Sequence, residues 1–416
     1  MDLFQVIAIL VALTALFAYL NHRFVHLHPS VGVMVIALAL SLVLIALNEL
    51  GLGVKHFAAE FLRHVDFNEA LLQWMLGFLL FAGALSVDLN ELGQQRWVTG
   101  LLATVGTVAS MFIVGSLMWG VLRLLGLGVP LVGCLLFGAL ISPTDPVAVV
   151  TLMKRVNAPK SIETIISAES LLNDGIGVVL FLTLLGIERG GHAVTAASIT
   201  WLFVRQALGG AVLGFLAGTL VYSVLKNVYN YQVEVLLTLG LVMGGYALAE
   251  VVGVSGPITA VVSGLLIGNR GRTFHMSEDA REDLEKFWEL VEEILNAVLF
   301  VLIGLEVLAT PFGLRHGVAA LLAIPIVLLA RWLSVLGIIS ALPAQRRLRK
   351  VMIPILTWGG LRGGLAVAMA LSLPVSLHRD TFVAITYGVV VFSIIVQGTT
   401  IGRVVARALK TSGVRS

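Results

Sequence analysis

Apolar residues in this chain come in long unbroken runs, without the alternation that marks a half-buried strand. Thirteen runs cover approximately 3–20, 31–47, 68–87, 97–125, 129–153, 164–187, 198–225, 232–253, 255–268, 287–308, 314–341, 351–374 and 381–402. A helix needs about 20 mostly apolar residues to cross a bilayer, and most of these runs are near that length. Continuous runs leave helices, and not barrel strands, as the way to satisfy every backbone group in lipid. The pattern predicts an all-α polytopic membrane protein of 13 transmembrane helices. No intervening loop is long enough to fold alone, so the chain reads as a single membrane transporter domain, 1–416.

Composition agrees. Of 416 residues, 58% are hydrophobic and 12% charged, about half the charge of a soluble domain. The single Cys134 excludes a disulfide framework. The first run has no basic stretch before it and no small-residue cleavage site after it, so it reads as a first span rather than a removable leader. A net charge of +3 gives no nucleic-acid patch. Lys and Arg crowd into alternate loops: Arg23, Arg96, Lys154 to Lys160, Lys226, a charged linker over 269–286, 346–350 and the tail 404–416. The positive-inside rule then puts the N-terminus outside and the C-terminus in the cytoplasm of a cell membrane. Glu289, Glu292 and Glu293 are read as opening the tenth span, and His22, His26 and His28 as solvated loop residues.

Scaffold helices do not need ionisable groups at mid-depth, and each costs about 2.5–3.5 kcal/mol there on insertion scales. Asp145, Glu169, Asp174, Arg331 and Arg362 are therefore functional candidates. The fifth run reads Ser142-Pro143-Thr144-Asp145-Pro146. Each proline lacks an N–H and clashes with the carbonyl four residues back. Pro143 frees the Ala139 carbonyl and Pro146 that of Ser142, so the helix is expected to break, with Asp145 at the break. The sixth run reads Glu169-Ser170-Leu171-Leu172-Asn173-Asp174. Glu169 and Asp174 are five apart, about 140° around a helix, so the two acids face different neighbours. Arg331 cannot deprotonate and must pair; Glu169 is the expected partner, in a structural lock that is costly to break. In the twelfth run, glycines surround an arginine in Gly359-Gly360-Leu361-Arg362-Gly363-Gly364. That is read as tight helix packing or as a second unwound point.

The fifth and twelfth runs are seven spans apart and so oppositely directed. Interrupted helices at matching places in two halves point to an inverted-repeat transporter. The expected layout is two inverted-topology six-helix repeats, about 1–187 and 232–403, linked by a helix over 198–225, with interrupted helices crossing at the midplane. Asp174, Asp145, Ser170, Asn173 and freed carbonyls would supply oxygen ligands to a hard monovalent cation such as Na⁺. Pro143, Pro146, Gly360, Arg362 and Gly363 would support the crossing. The residues leave Na⁺, Li⁺ and K⁺ open. A channel lacks its filter loops or charged rings here, and an aspartyl protease lacks a second Gly-Asp site.

These residues resemble the NhaP-like proteins, in the sodium/proton exchanger branch of the monovalent cation–proton antiporters. The resemblance rests on Phe81-Ala82-Gly83-Ala84-Leu85 with Asp88-Leu89, on Ser142 through Val147, and on Glu169 through Asp174 with Phe181. It also rests on Ser255-Gly256-Pro257 with Gly264, on Phe287-Trp288 with Asn296 and Phe300, and on Gly360 through Gly363. It implies 13 helices, a homodimer, and a six-helix core that moves against a dimerisation domain. It implies Asp174 as the carboxylate for which cation and proton compete, assisted by Asp145, Thr144 and Ser170. Glu169 would pair with Arg331, and Asn173 would order the crossing. The implied activity is electroneutral exchange of a monovalent cation, Na⁺ first, for H⁺, with no cofactor; K⁺/H⁺ exchange on the same fold is the alternative. Ala82 stands where some relatives carry an acid, which would alter cation coordination.

Overall fold

The computed structural model describes residues 3–27, 29–49, 75–146, 149–150, 153, 159–190, 196–228, 230–273, 278–306, 313–342 and 349–412. The start of the third run, 68–74, lies outside these residues, as do Lys55, Arg63, His28, Lys154, Arg155, Arg346, Arg347 and Arg415. What is described is almost wholly helical. The order is α1 (Leu3–Leu20), α2 (Pro29–Glu49), α3 (Leu76–Ser86), α4 (Leu89–Leu101), α5 (Thr107–Leu124), α6 (Leu131–Ile141), α7 (Lys160–Gly190) and α8 (Ala196–Leu225). There follow α9 (Tyr231–Val252), α10 (Gly256–Thr273), α11 (Glu278–Glu306), α12 (Leu314–Ala341), α13 (Arg349–Trp358), α14 (Gly364–Leu371), α15 (Arg379–Phe392) and α16 (Gly398–Ser412). Single π turns, Leu102–Gly106 and Ser393–Gln397, join α4 to α5 and α15 to α16.

Among the described residues, seven helices are long and apolar enough to cross a membrane by length and composition. Others are shorter, and for two runs the reason is physical. The helix of the fifth run is interrupted after Ile141, with helical backbone again at 149–150, and the twelfth is cut into α13 and α14. Neither piece alone spans a bilayer. The eighth and ninth runs are separate helices. Gly253 takes the left-handed conformation (φ +74°) and returns its N–H to the carbonyls of Ala249 and Glu250, a C-terminal cap that favours glycine. Arg205 on α8 adds a hydrogen bond to the Val252 carbonyl at 3.1 Å.

Helix ends depart from the apolar runs because hydropathy measures lipid depth and not helix length. The expected linker over 269–286 is mostly helix: α10 runs on to Thr273 and α11 starts at Glu278, where Lys286 and Glu282 pair one turn apart at 2.9 Å. Glu289, Glu292 and Glu293 consequently lie well inside α11 and do not open the helix. The fourth run gains a polar turn. Asp88 caps it by accepting the Asn90 N–H at 2.8 Å, and Glu91 within it meets Lys160 at 3.0 Å and Thr164 at 2.7 Å on α7.

Close helix packing follows small residues. Gly210, Gly214 and Gly218 form one stripe of α8, facing Ser255, Thr259 and Ser263 at the same spacing along α10. A methyl on Gly214 would lie 2.6 Å from the Thr259 carbonyl oxygen. Backbones can touch there because side chains are missing, which is how helices associate where no hydrophobic gain remains. Elsewhere the core closes on aromatics. Trp288 of α11 is buried against Phe81 of α3, their centroids 4.7 Å apart, and its Nε1 donates to Thr238 of α9 at 3.1 Å.

Candidate functional site

Both interrupted helices open at the same place. α6 stops before Pro143, and α13 stops at Trp358 before the glycine segment. The two unwound stretches run antiparallel past each other through a single β-bridge between Asp145 and Leu361, whose hydrogen bond from Asp145 N to Leu361 O is 2.8 Å. The twelfth run is thus unwound as well as tightly packed. Glycine is required by closeness: a methyl on Gly363 would sit 2.5 Å from Asp145 Oδ2 and 2.9 Å from its Cβ. At Gly360 it would sit 2.8 Å from Arg331 Nε and 3.3 Å from Thr144 Cγ2.

The carbonyl that Pro146 frees, on Ser142, accepts from Arg362 Nη1, which also donates to the Pro143 carbonyl at 2.8 Å. A guanidinium on the second break therefore covers the carbonyl end of the first, where the helix dipole is negative.

α7 passes alongside without interruption and offers its two acids to different surroundings. Glu169 is 1% exposed. Arg331 of α12 grips it with two bonds, Nη1 to Oε1 at 2.8 Å and Nη2 to Oε2 at 2.7 Å, while Nε donates to the Leu356 carbonyl at 3.1 Å. Asn173 Nδ2 donates to the same Glu169 at 2.7 Å and to Thr144 Oγ1 at 2.9 Å, and its Oδ1 accepts the Thr144 N–H at 3.1 Å. Thr144 Oγ1 is also 3.0 Å from Ser170 Oγ. A continuous chain of bonds thus runs from Leu356 through Arg331, Glu169 and Asn173 to Thr144, tying both broken helices to α7.

Asn173 was expected among the cation ligands. It was expected to order the crossing as well, and its two amide hydrogens and its oxygen make hydrogen bonds to Glu169 and Thr144 there. Asp174, the next residue, differs in each respect. It is partly exposed, and no hydrogen bond to it is formed among the described residues. It lies within electrostatic reach of Asp145, Glu169 and Arg362. Thr144 and Ser170 meet at the crossing, Asp145 lies on its β-bridge, and Asp174 is within electrostatic reach of Asp145; Pro143, Pro146, Gly360 and Gly363 lie on the two unwound stretches. Ala82 is buried in α3.

Two residues at the crossing escaped the reading of the sequence. Ser393 Oγ accepts the Arg362 N–H at 2.8 Å, and Gln397 Nε2 donates to the Trp358 carbonyl at 2.9 Å. Their signal was there: two polar positions four apart inside an apolar run.

Comparison with known proteins follows the same lines. The family described as sodium/hydrogen exchanger, transmembrane, matches residues 10–407. The Na⁺/H⁺ antiporter NhaP of Pseudomonas aeruginosa is 48% identical over 408 residues, covering 97% of this chain and 96% of that protein. The Na⁺/H⁺ antiporter NhaH of Halobacillus dabanensis is 34% identical over 378 residues, 88% of this chain and 90% of its own. In fold, the chain matches the sodium proton antiporter MjNhaP1 of Methanocaldococcus jannaschii at pH 8, with a TM-score of 0.77. There the identity is 19%, over 99% of this chain and 100% of the other.

Proposed function

Because this chain belongs to the sodium/hydrogen exchanger family, we propose that it exchanges Na⁺ for H⁺ across a membrane, one for one, at Asp174. The observation that carries this reading is the charge balance of the crossing. Three carboxyl groups, Asp145, Glu169 and Asp174, meet two guanidinium groups, Arg331 and Arg362. Glu169 is neutralised by Arg331 through two bonds, and Arg362 faces the carbonyls of the first break. Among the described residues, these five groups leave one negative charge over. A single Na⁺ or a single proton cancels it.

Competition then produces exchange. With either ligand the site is neutral and moves between the two sides; empty, it carries a charge whose passage through lipid is costly. Asp174 takes the ligand, with Asp145, Ser170 and Thr144 contributing oxygens, and neither ion crosses without the other returning. The same reading places the chain in the cell membrane as a homodimer, N-terminus outside and C-terminus in the cytoplasm. The exposed Arg403, Arg407 and Lys410 on α16 support that orientation.

The test is proton movement in proteoliposomes holding a pH gradient, with Na⁺, Li⁺ or K⁺ added in turn. Na⁺ should dissipate the gradient through the wild type and not through Asp174→Asn, reconstituted in equal amount with an unchanged melting temperature. Coupled exchange surviving in Asp174→Asn, or silence of the wild type towards every cation, would overturn the proposal.

A further inference from the structure

The second break, 359–363, contains Gly359, Gly360 and Gly363, followed by Gly364 at the start of α14. Glycine has the largest conformational freedom to lose, and these positions have no side chains with which to fix themselves. Their shape must come from bonds made by neighbours. One is known from the crossing itself, the Leu361 carbonyl accepting from Asp145 N at 2.8 Å. Within the stretch, the Gly359 N–H donates to the Ile355 carbonyl at 2.7 Å and the Leu361 N–H to the Gly359 carbonyl at 2.8 Å; further bonds come from the π turn before the last helix.

Ser393–Gln397 is a single π turn between α15 and α16. Such turns carry one extra residue, which re-aims the side chains around it, and they are frequent at functional sites. Here both polar residues of the turn point at the break. Ser393, fully buried, accepts the Arg362 N–H at the exit. Gln397, 2% exposed, donates to the Trp358 carbonyl at the entrance. One turn on, Thr400 Oγ1 accepts from Trp358 Nε1 at 2.9 Å. The unwound glycines are thus held at both ends by one rigid element. Beside them lies a cavity of about 10 Å³, lined by Arg331, Gly360, Arg362 and Gln397 among others.

We infer that the π turn is a clamp on the second break, and that Ser393 and Gln397 are positioning residues for exchange. Neither touches the cation. They act through Leu361, which sets Asp145, and through Arg362, which holds the Ser142 and Pro143 carbonyls. Slack at 359–363 therefore becomes misplacement of the oxygens around Asp174. The transport part of this inference rests on the exchange reading above; the clamp itself does not.

Two measurements on the reconstituted full chain keep them apart. Hydrogen-exchange mass spectrometry follows the amides of 359–363, and the proteoliposome assay gives the Na⁺ concentration for half-maximal exchange and the maximal rate. The variants are Ser393→Ala, Ser393→Thr and Gln397→Met. Losing a hydrogen bond to a buried backbone group is expected to raise the half-maximal Na⁺ concentration about tenfold in Ser393→Ala and Gln397→Met. The same change should speed exchange at 359–363. Ser393→Thr keeps the hydroxyl and should behave as wild type. Unchanged protection of 359–363 in Ser393→Ala and Gln397→Met overturns the clamp, whatever transport does. Faster amide exchange with an unchanged Na⁺ dependence overturns the positioning role, as does a Ser393→Thr as impaired as Ser393→Ala. Should Ser393→Ala not fold, Gln397→Met and Ser393→Thr decide alone. A silent wild type refutes the exchange reading and leaves the amide measurement to judge the clamp.

Discussion

Replacing Arg331 by Ala tests the buried lock between α12 and α7. The guanidinium makes two charge-assisted bonds to Glu169, at 2.8 and 2.7 Å, and a third to the Leu356 carbonyl at 3.1 Å. Arg331→Ala removes all three and leaves Glu169, 1% exposed, with the Asn173 amide as its described donor. Breaking a buried pair by deleting one member costs about 3–5 kcal/mol, mostly for the stranded charge. Unfolding entropy grows with length, so a chain of 416 residues moves by about 1 °C per kcal/mol, and thermal unfolding in detergent should begin roughly 3–6 °C lower. The reasoning makes a second demand. If the penalty is the stranded carboxylate, then Arg331→Met with Glu169→Leu should melt above Arg331→Ala, recovering more than half of the loss, because apolar volume replaces both charges. The Asn173 amide then lacks one acceptor, which keeps the recovery incomplete. A melting temperature for Arg331→Ala within about 1 °C of wild type refutes the lock. A double variant no more stable than the single one refutes the stranded-charge account of it.

Other expectations follow from close approaches and buried groups. Gly363→Ala puts a methyl 2.5 Å from Asp145 Oδ2; overpacking of this kind costs about 1–3 kcal/mol, and the Na⁺-driven exchange rate should fall by at least about tenfold. Wild-type exchange in that variant would mean that Asp145 tolerates displacement. Gly214→Val should separate α8 from α10 and lower the melting temperature by several degrees, since the added carbon would meet the Thr259 carbonyl oxygen at 2.6 Å; an unchanged melting curve would show that the seam carries little stability. Glu234 of α9 is 1% exposed, and its Oε2 finds no partner among the described residues. A buried carboxylate oxygen with no donor is costly, so Glu234→Gln should melt above wild type at pH 8, and a lower melting temperature would reveal a favourable interaction there.

Much of the site could be read from single stretches of sequence, because its causes are local. Pro143 and Pro146 break a helix wherever they fall in it, and five-residue spacing sends Glu169 and Asp174 to different faces of any helix. Arg331 stood as an isolated charge in its run, so a search for its partner had few places to end. What could not be read depends on which helices become neighbours. Arg362 serves backbone carbonyls on another helix, and nothing near it in sequence names them. Asn173 bonds to Thr144 in another run, a partner that its own stretch of sequence does not name. Ser393 and Gln397 looked like incidental polar residues until their spacing met Arg362 and Trp358. The helix ends were misjudged for a different reason: α10 and α11 continue in polar sequence that an apolar count ignores.

The chain of bonds from Leu356 to Thr144 bears on ion choice. A cage whose walls relax around any guest discriminates weakly by radius, because each ion draws in its own ideal set of oxygens. At this crossing, Thr144 is held by Asn173, Asn173 by Glu169, and Glu169 by Arg331, which is anchored in turn on α13. The Thr144 and Asn173 oxygens at the crossing therefore sit on a bonded frame. Stiffness lets a site select by size as well as by charge, so residues that never touch the cation would help to decide which cation fits.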